Sequence, residues 1–264
     1  MKDNRFIEDS FPLKEVSTES AREKNIRHGH ISTLHIWWAR RPLASSRATS
    51  YAALIPAPKS VEEWNKKKQF IIELSKWENS LNLHLIEKAK RDILEANNGR
   101  PLKVLDPFAG GGAIPLEALR LGCETYAGEY NPVAVLILKC TLEYPQKYGK
   151  SKKINVKSGI IETEREIDPL LVEEGYDEEY AKAVVSYLEL GVNRLADYNS
   201  SLTVWAVAGE FIAHTFGRQA LPMVWDYFEL NPWSNATGDW KSSMDWIFNV
   251  LSQIPPVEFK EVEG

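Results

Sequence analysis

Cysteine is scarce: Cys123 and Cys140 are the only two in 264 residues. Two thiols cannot build a four-cysteine zinc site or a disulfide framework. Both lie among apolar neighbours and read as core residues. Long apolar runs are also missing. No stretch approaches the roughly 18 residues that a membrane-spanning helix needs. The opening MKDNRFIEDSFPL has no apolar block of the secretory kind, so the expectation is a cytoplasmic protein that avoids the membrane. No fixed-period repeat is present. Positive charge is not in excess either. A net charge of −5 gives the molecule as a whole no electrostatic attraction to nucleic acid.

What is present suits one large domain or two small ones, with 44% hydrophobic and 11% aromatic residues to fill a core. Charge is unevenly spread. Between Ala21 and Ser60 seven Lys/Arg face one acid, Glu23, and His28, His30 and His35 lie in the same stretch. Such a segment can meet phosphates or form a solvated face with internal partners. Between Ile161 and Leu190 ten acids face Arg165 and Lys182.

Periodicity and breakers predict a helix from Ala39 to Leu54, ended by Pro56 and Pro58, and a helical stretch over 61–96 stopped by Asn97-Asn98-Gly99. A short buried strand is expected at Leu102–Leu105, a helix over 113–121 capped by Gly122, a strand over 124–129 and a helix from Pro132 to Leu142. That alternation is the start of a parallel α/β sheet. Beyond the basic joint KSKKINVKSG the chain reads as mostly helical, over 177–197, 203–215, 218–229 and 239–253. Trp205, Trp225, Trp233, Trp240 and Trp246 there read as core and interface fillers rather than a base-stacking platform. The expected organisation is a basic N-terminal block (1–60), a cofactor-binding α/β core (61–149), a linker (150–166) and a largely helical C-terminal region (167–264).

The segment VLDPFAGGGAIPLEALRLG, residues 104–122, joins strand to helix through a glycine cluster. A nucleotide P-loop requires Lys and Ser/Thr after its last glycine, yet Gly112 precedes Ala113-Ile114-Pro115. A dinucleotide site wants a third spaced glycine where Pro115 stands, and has no acid just before its glycines. S-adenosylmethionine fits better. Glycine lets the backbone approach the methionine and ribose portion without a Cβ. Asp106 meets the ammonium group, directly or through water. Glu129, 19 residues after Gly110, ends the second strand where an acid accepts from two ribose hydroxyls. Pro115 suits a first helical turn. A strand-to-helix turn without ligand is the plainer alternative, although three successive glycines exceed what a turn needs. NAD-linked redox chemistry stays open as a further alternative.

DPFAGGG resembles the first motif of amino-directed nucleic-acid methyltransferases, usually Asp-Pro-Phe-Ala-Gly-Ser-Gly, with Gly111 in place of Ser. SAREKNIRHGHISTLHIWWARRPLASSRA, residues 20–48, resembles the N-terminal block of large bacterial and archaeal adenine-specific DNA methylases, which also carry a zinc ribbon. SSLTVWAVAG and GRQALPMVWDYFELNPWSNATGDW resemble later blocks of that family, so the likeness covers residues 5–149 and 167–250. The resemblance implies a Rossmann-like, S-adenosylmethionine-dependent methyltransferase fold acting on adenine N6 of DNA. It implies cofactor contacts from Asp106, Phe108, Ala109, Gly110, Gly112, Glu129 and Asn131. By the same likeness, His35, Trp37, Trp38 and Arg40 shape the methionine end of the pocket, and Arg40 and Arg41 face the substrate. Core tryptophans and ion-paired arginines are the competing account of that block. His28 and His30, without cysteine nearby, read as hydrogen-bonding residues rather than metal ligands.

The family's catalytic Asp/Asn/Ser-Pro-Pro-aromatic motif is missing. Pro255-Pro256 lies between Ile254 and Val257, and NPVA at 131 and NPWS at 231 lack the second proline. No cysteines supply the zinc ribbon, and no catalytic residue is assigned. The expectation is a shortened form holding the cofactor half, with DNA as partner and a second chain supplying the base-binding half. Two other readings follow: a non-catalytic cofactor- or DNA-binding subunit, and an RNA base methyltransferase. Restriction–modification and phage defence are the roles the resemblance suggests.

Overall fold

The computed structural model describes residues 4–37, 40–149, 171–216, 223–224 and 228–254. The described residues fall into two compact units, one within 1–27 and 37–147 and the other within 28–36 and 148–254.

The first unit opens with a short helix α1 (Phe6–Asp9) and α2 (Leu13–Glu23). Helix α3 (Leu43–Leu54) follows, starting later than the expected Ala39. It is buried nearly all round, with Leu43, Ala44, Ser46, Arg47, Ala48, Tyr51 and Ala52 covered. Its many small residues let neighbouring helices approach closely on several sides. Pro42, its N-cap, has no side-chain acceptor. Glu23 supplies one from α2, its carboxylate accepting from the N–H groups of Leu43 and Ala44 at 2.7 Å each, an anion against a helix N-terminus.

The expected continuous helix over 61–96 is two helices, α4 (Val61–Ser75) and α5 (Leu83–Ala96), with a 3-10 turn at Trp77–Asn79 between them. Side chains cause the break. Arg47 Nη1 donates to Leu74 O at 3.1 Å and Arg47 Nη2 to Ser80 Oγ at 2.8 Å. Asn79 Nδ2 donates to Glu73 O at 2.8 Å, so the last carbonyls of α4 find partners outside the helix. Asn82 then caps α5. Phe6, Val16, Ala48, Tyr51, Ile71, Leu74, Ala89, Ile93 and Leu121 form the core here.

Strand β1 (Lys103–Asp106) and β2 (Glu124–Ala127) pair in parallel, Lys103 opposite Glu124 and Asp106 opposite Ala127. Helix α6 (Ala113–Arg120) joins them and ends, as expected, at Gly122 (φ +81°). Helix α7 (Pro132–Leu138) continues through a π turn at Lys139–Glu143 into α8 (Tyr144–Tyr148). Cys123 and Cys140 are both buried.

In the second unit, α9 (Glu178–Tyr198) and α10 (Trp240–Ser252) match their expected spans. Asp177 and Asp239 cap them, accepting from Tyr180 N and Ser242 N. A Cβ on Gly191 would stand 2.8 Å from Met244 Sδ, so α9 meets α10 closely there. The expected helix over 203–215 is instead a hairpin of β3 (Trp205–Ala206) and β4 (Phe211–Ile212). Thr203, Val204 and Val207 favour extended backbone, and Glu210 takes a left-handed turn conformation (φ +51°). Asp197 ties the hairpin to α9. Its carboxylate meets His214 Nδ1 at 2.5 Å and accepts from Phe216 N at 3.0 Å, while Tyr198 OH lies 3.1 Å from His214 Nε2. Of the expected helix over 218–229, residues 223–224 and 228–229 are described and are not helical; the others lie outside the described residues. Of the tryptophans read as core, Trp233 is 74% exposed and Trp205 39%. Trp240 and Trp246 are half-buried, and Trp225 lies outside the described residues.

Candidate functional site

The loop Pro107–Gly112 leaves β1 and enters α6. Its shape is set by hydrogen bonds within itself and to the end of β2. Asp106 Oδ1 accepts from Phe108 N at 3.2 Å, an Asx-type turn. Gly128 N donates to Asp106 O at 2.8 Å and Ala109 N to Gly128 O at 3.0 Å, which ties the two strand ends together. Gly112 N then closes onto Ala109 O at 2.9 Å.

The three glycines differ. Gly110 (φ +52°) and Gly112 (φ +81°) take left-handed conformations that cost a residue with a Cβ about 1–2 kcal/mol. They are also crowded. A Cβ on Gly110 would stand 2.7 Å from Trp37 Nε1, and one on Gly112 would stand 3.0 Å from Leu138 Cδ2. At Gly111 a Cβ would meet Trp37 only at ordinary distance, 3.6 Å.

Glu129 is drawn onto this loop. Its Oε2 accepts from Gly110 N at 2.9 Å, and its Oε1 accepts from Tyr130 N at 2.8 Å and Asn131 N at 3.4 Å. The amides of Tyr130 and Gly110, then that of Asn131, hold the carboxyl below the usual carboxylate range. It is therefore an anion at neutral pH. Oε1 is saturated by its two amides, whereas Oε2 keeps a second lone pair, so the group can take one further donor. Phe108 (71% exposed) and Tyr130 (90% exposed) flank it, with ring centroids 6.5 Å apart.

The other expected residues are placed as follows. Ala109 is buried beneath the loop. Asn131 uses its side-chain oxygen to cap α7, accepting from Val133 N at 2.9 Å. Trp37 lies against Gly110 and Gly111. Arg40 is exposed and its Nε donates to Trp37 O at 3.3 Å; Arg41 is exposed. Trp38 lies outside the described residues. His35 belongs to the other unit, its Nδ1 2.8 Å from Ile36 O. His30 accepts from Ser32 N and contacts Ser32 Oγ at 2.7 Å, while His28 stacks on Trp246 at 5.0 Å. Among the described residues no group of three His, Cys, Asp or Glu side chains could hold a metal ion.

Sequence reasoning missed the support behind the loop. Glu117 on α6 is fully buried and accepts from Arg47 Nε at 2.7 Å and Arg120 Nη1 at 2.8 Å. The only sequence signal was a Glu–Arg pair three apart within an otherwise apolar helix. Helix α6 packs on the sheet, but Leu105 on it is 68% exposed and Tyr126 46%. Among the described residues β1 and β2 each have only the other as a neighbour.

A family model described as "Protein of unknown function (DUF1156)" matches residues 10–79, a span that stops short of the glycine loop. No curated protein and no solved structure matches the chain. No helix among the described residues is long and apolar enough to cross a membrane.

Proposed function

We propose that this chain is the cofactor-binding portion of a cytoplasmic, S-adenosylmethionine-dependent DNA adenine-N6 methyltransferase with a Rossmann-like core. The hydrogen bond from Gly110 N to Glu129 Oε2 carries the reading. It joins a glycine loop to an ionised acid at the end of the neighbouring parallel strand, the arrangement in which a nucleoside-bearing cofactor finds backbone access and a hydroxyl acceptor together. The residues fit the group: Glu129 Oε2 keeps a lone pair for a ribose hydroxyl, Phe108 and Tyr130 offer exposed rings for a purine, and Asp106 stands at the strand end for an ammonium. The room for a Cβ at Gly111 supports the likeness to a motif that has Ser there. When bound, the cofactor supplies an electrophilic methyl group. The residues named here bind and orient; none is assigned to the transfer itself.

Calorimetric titration with S-adenosylmethionine tests this. Wild type is expected to bind, with Glu129→Ala and Gly110→Leu losing at least tenfold in affinity. A folded wild type that gives no heat at millimolar cofactor overturns the reading.

The exposed residues of the sheet favour a partner chain. Parallel strands are normally covered on both faces and paired on both edges, yet β1 and β2 expose Leu105 and Tyr126. In this reading a second chain adds strands and the base-binding half, and the complex methylates DNA, as in restriction–modification or phage defence. Pull-down is expected to recover a chain with an Asp/Asn-Pro-Pro-Tyr motif from wild type and not from Leu105→Lys. Recovery of the bait alone overturns it. Methyl transfer by the complex to RNA but not duplex DNA would reassign the substrate.

A further inference from the structure

Helix α6 carries the glycine loop at its N-terminus, so whatever fixes α6 along its axis also fixes the loop. Its strongest directional restraint is a pair of charges. Arg47 of α3 and Glu117 of α6 both have 0% side-chain exposure, and Arg47 Nε donates to Glu117 Oε2 at 2.7 Å. The other guanidinium nitrogens reach Leu74 O and Ser80 Oγ. Glu117 Oε1 accepts from Arg120 Nη1 at 2.8 Å, so both carboxylate oxygens are committed. Arg120 is only 6% exposed.

Buried ion pairs are poor sources of net stability, because the loss of hydration offsets the attraction; apolar replacements of similar volume are often neutral or stabilising. Such a pair does set geometry. The planar guanidinium fork accepts partners only in fixed directions, whereas apolar packing tolerates small slides. Here the fork grips the end of α4, the turn at Ser80 and the middle of α6 at once. Trp37, ahead of α3 in the same unit, packs on the loop at Gly110.

We infer that Arg47 and Glu117 are positioning residues for the candidate cofactor site: through the buried Arg47–Glu117–Arg120 cluster they fix α6 on α3 and so hold the Gly110 amide at the Glu129 carboxylate, without touching a ligand. The affinity consequence rests on the S-adenosylmethionine reading. The consequence for loop geometry does not.

The test replaces the cluster by apolar side chains of similar size, Arg47→Met, Glu117→Leu and Arg120→Met together, in the full chain. Three readouts are compared with wild type: thermal midpoint, hydrogen exchange at the Gly110 and Gly112 amides, and the dissociation constant for S-adenosylmethionine. A positioning role predicts a midpoint within a few degrees of wild type, at least tenfold faster exchange at Gly110, and at least tenfold weaker binding. A purely structural role predicts unchanged exchange and affinity in a folded triple variant, and that result overturns the inference. If the triple variant does not fold, Arg47→Lys decides in the same way. It keeps the charge but lacks the fork, so unchanged Gly110 exchange there overturns the inference and severalfold faster exchange supports it. If wild type fails to bind the cofactor, the exchange readout still decides between the two roles.

Discussion

Glu23→Ala should loosen α3, the helix on which the first unit is assembled. The carboxylate accepts from two main-chain donors, Leu43 N and Ala44 N, each at 2.7 Å. Those residues are only 1% and 2% exposed, and Glu23 itself 5%. Pro42 offers no replacement acceptor. Removing the side chain strands two buried N–H groups, at about 1–3 kcal/mol each. It also removes an anion from a helix N-terminus, about 0.3–1 kcal/mol more. Taking the lower half of the first range, the loss is about 2–5 kcal/mol. That corresponds to a fall in melting temperature on the order of 10 °C for a domain of this size.

Hydrogen exchange at the Ala48 and Tyr51 amides reports the opening of α3 directly, and thermal unfolding reports the global consequence. Glu23→Gln keeps one acceptor oxygen and should recover roughly half of the loss. A Glu23→Ala variant within about 1 kcal/mol of wild type by both measurements would refute the claim that this carboxylate caps α3.

Other outcomes follow from the same structure. Because the Tyr130 and Gly110 amides depress the Glu129 pKa, the loop contact is complete above the ordinary carboxylate pKa and is lost as pH falls through the lower folded value. An NMR titration of the Gly110 amide should therefore show its midpoint below about 4.3, and a midpoint at or above that value contradicts the geometry. Burial raises the Cys123 thiol to about 11, so iodoacetamide at pH 8 should leave it unmodified until the chain unfolds; rapid native labelling detected by mass spectrometry would argue against its burial. Gly110→Ala should cost about 1–2 kcal/mol from its left-handed backbone alone and more from Trp37, so pairing it with Trp37→Ala should recover part of the loss; strict additivity in that double-mutant cycle rules out the close contact. Burial works to raise the Asp197 pKa, yet His214 and the Phe216 amide outweigh it and hold the carboxyl below its ordinary value. Asp197→Asn should thus free the β3–β4 hairpin, seen as faster exchange at Thr215 and Phe216 with little change in the first unit.

Local signals made much of the fold legible. Gly122 marked the end of α6, the helical spans over 177–197 and 239–253 anticipated α9 and α10, and the alternation around the glycine cluster anticipated β1, α6, β2 and α7 in order. The spacing of Gly110 and Glu129 also identified two residues that the fold brings into hydrogen-bond contact. The misses have longer-range causes. Asn79 and Asn82 within 61–96 take part in the break, but it also depends on Arg47, which is 27 residues from Leu74 and 33 from Ser80. The 203–215 segment is short and apolar, where periodicity does not separate strand from helix.

Buried charge was the least legible feature, and it changes what the basic N-terminal segment can do. Of the seven Lys/Arg between Ala21 and Ser60, Arg47 is enclosed with Glu117 and Arg22 pairs with Glu19 and Glu78. Lys24, Arg27, Arg40, Arg41 and Lys59 are exposed, and so is the ion-paired Arg22. The segment is therefore divided: part of its charge organises the fold and part faces solvent. A phosphate backbone would meet at most six of these cations, which limits the salt dependence this segment can give to nucleic-acid binding. Arg47, indistinguishable in the sequence from its exposed neighbours, would contribute nothing to it.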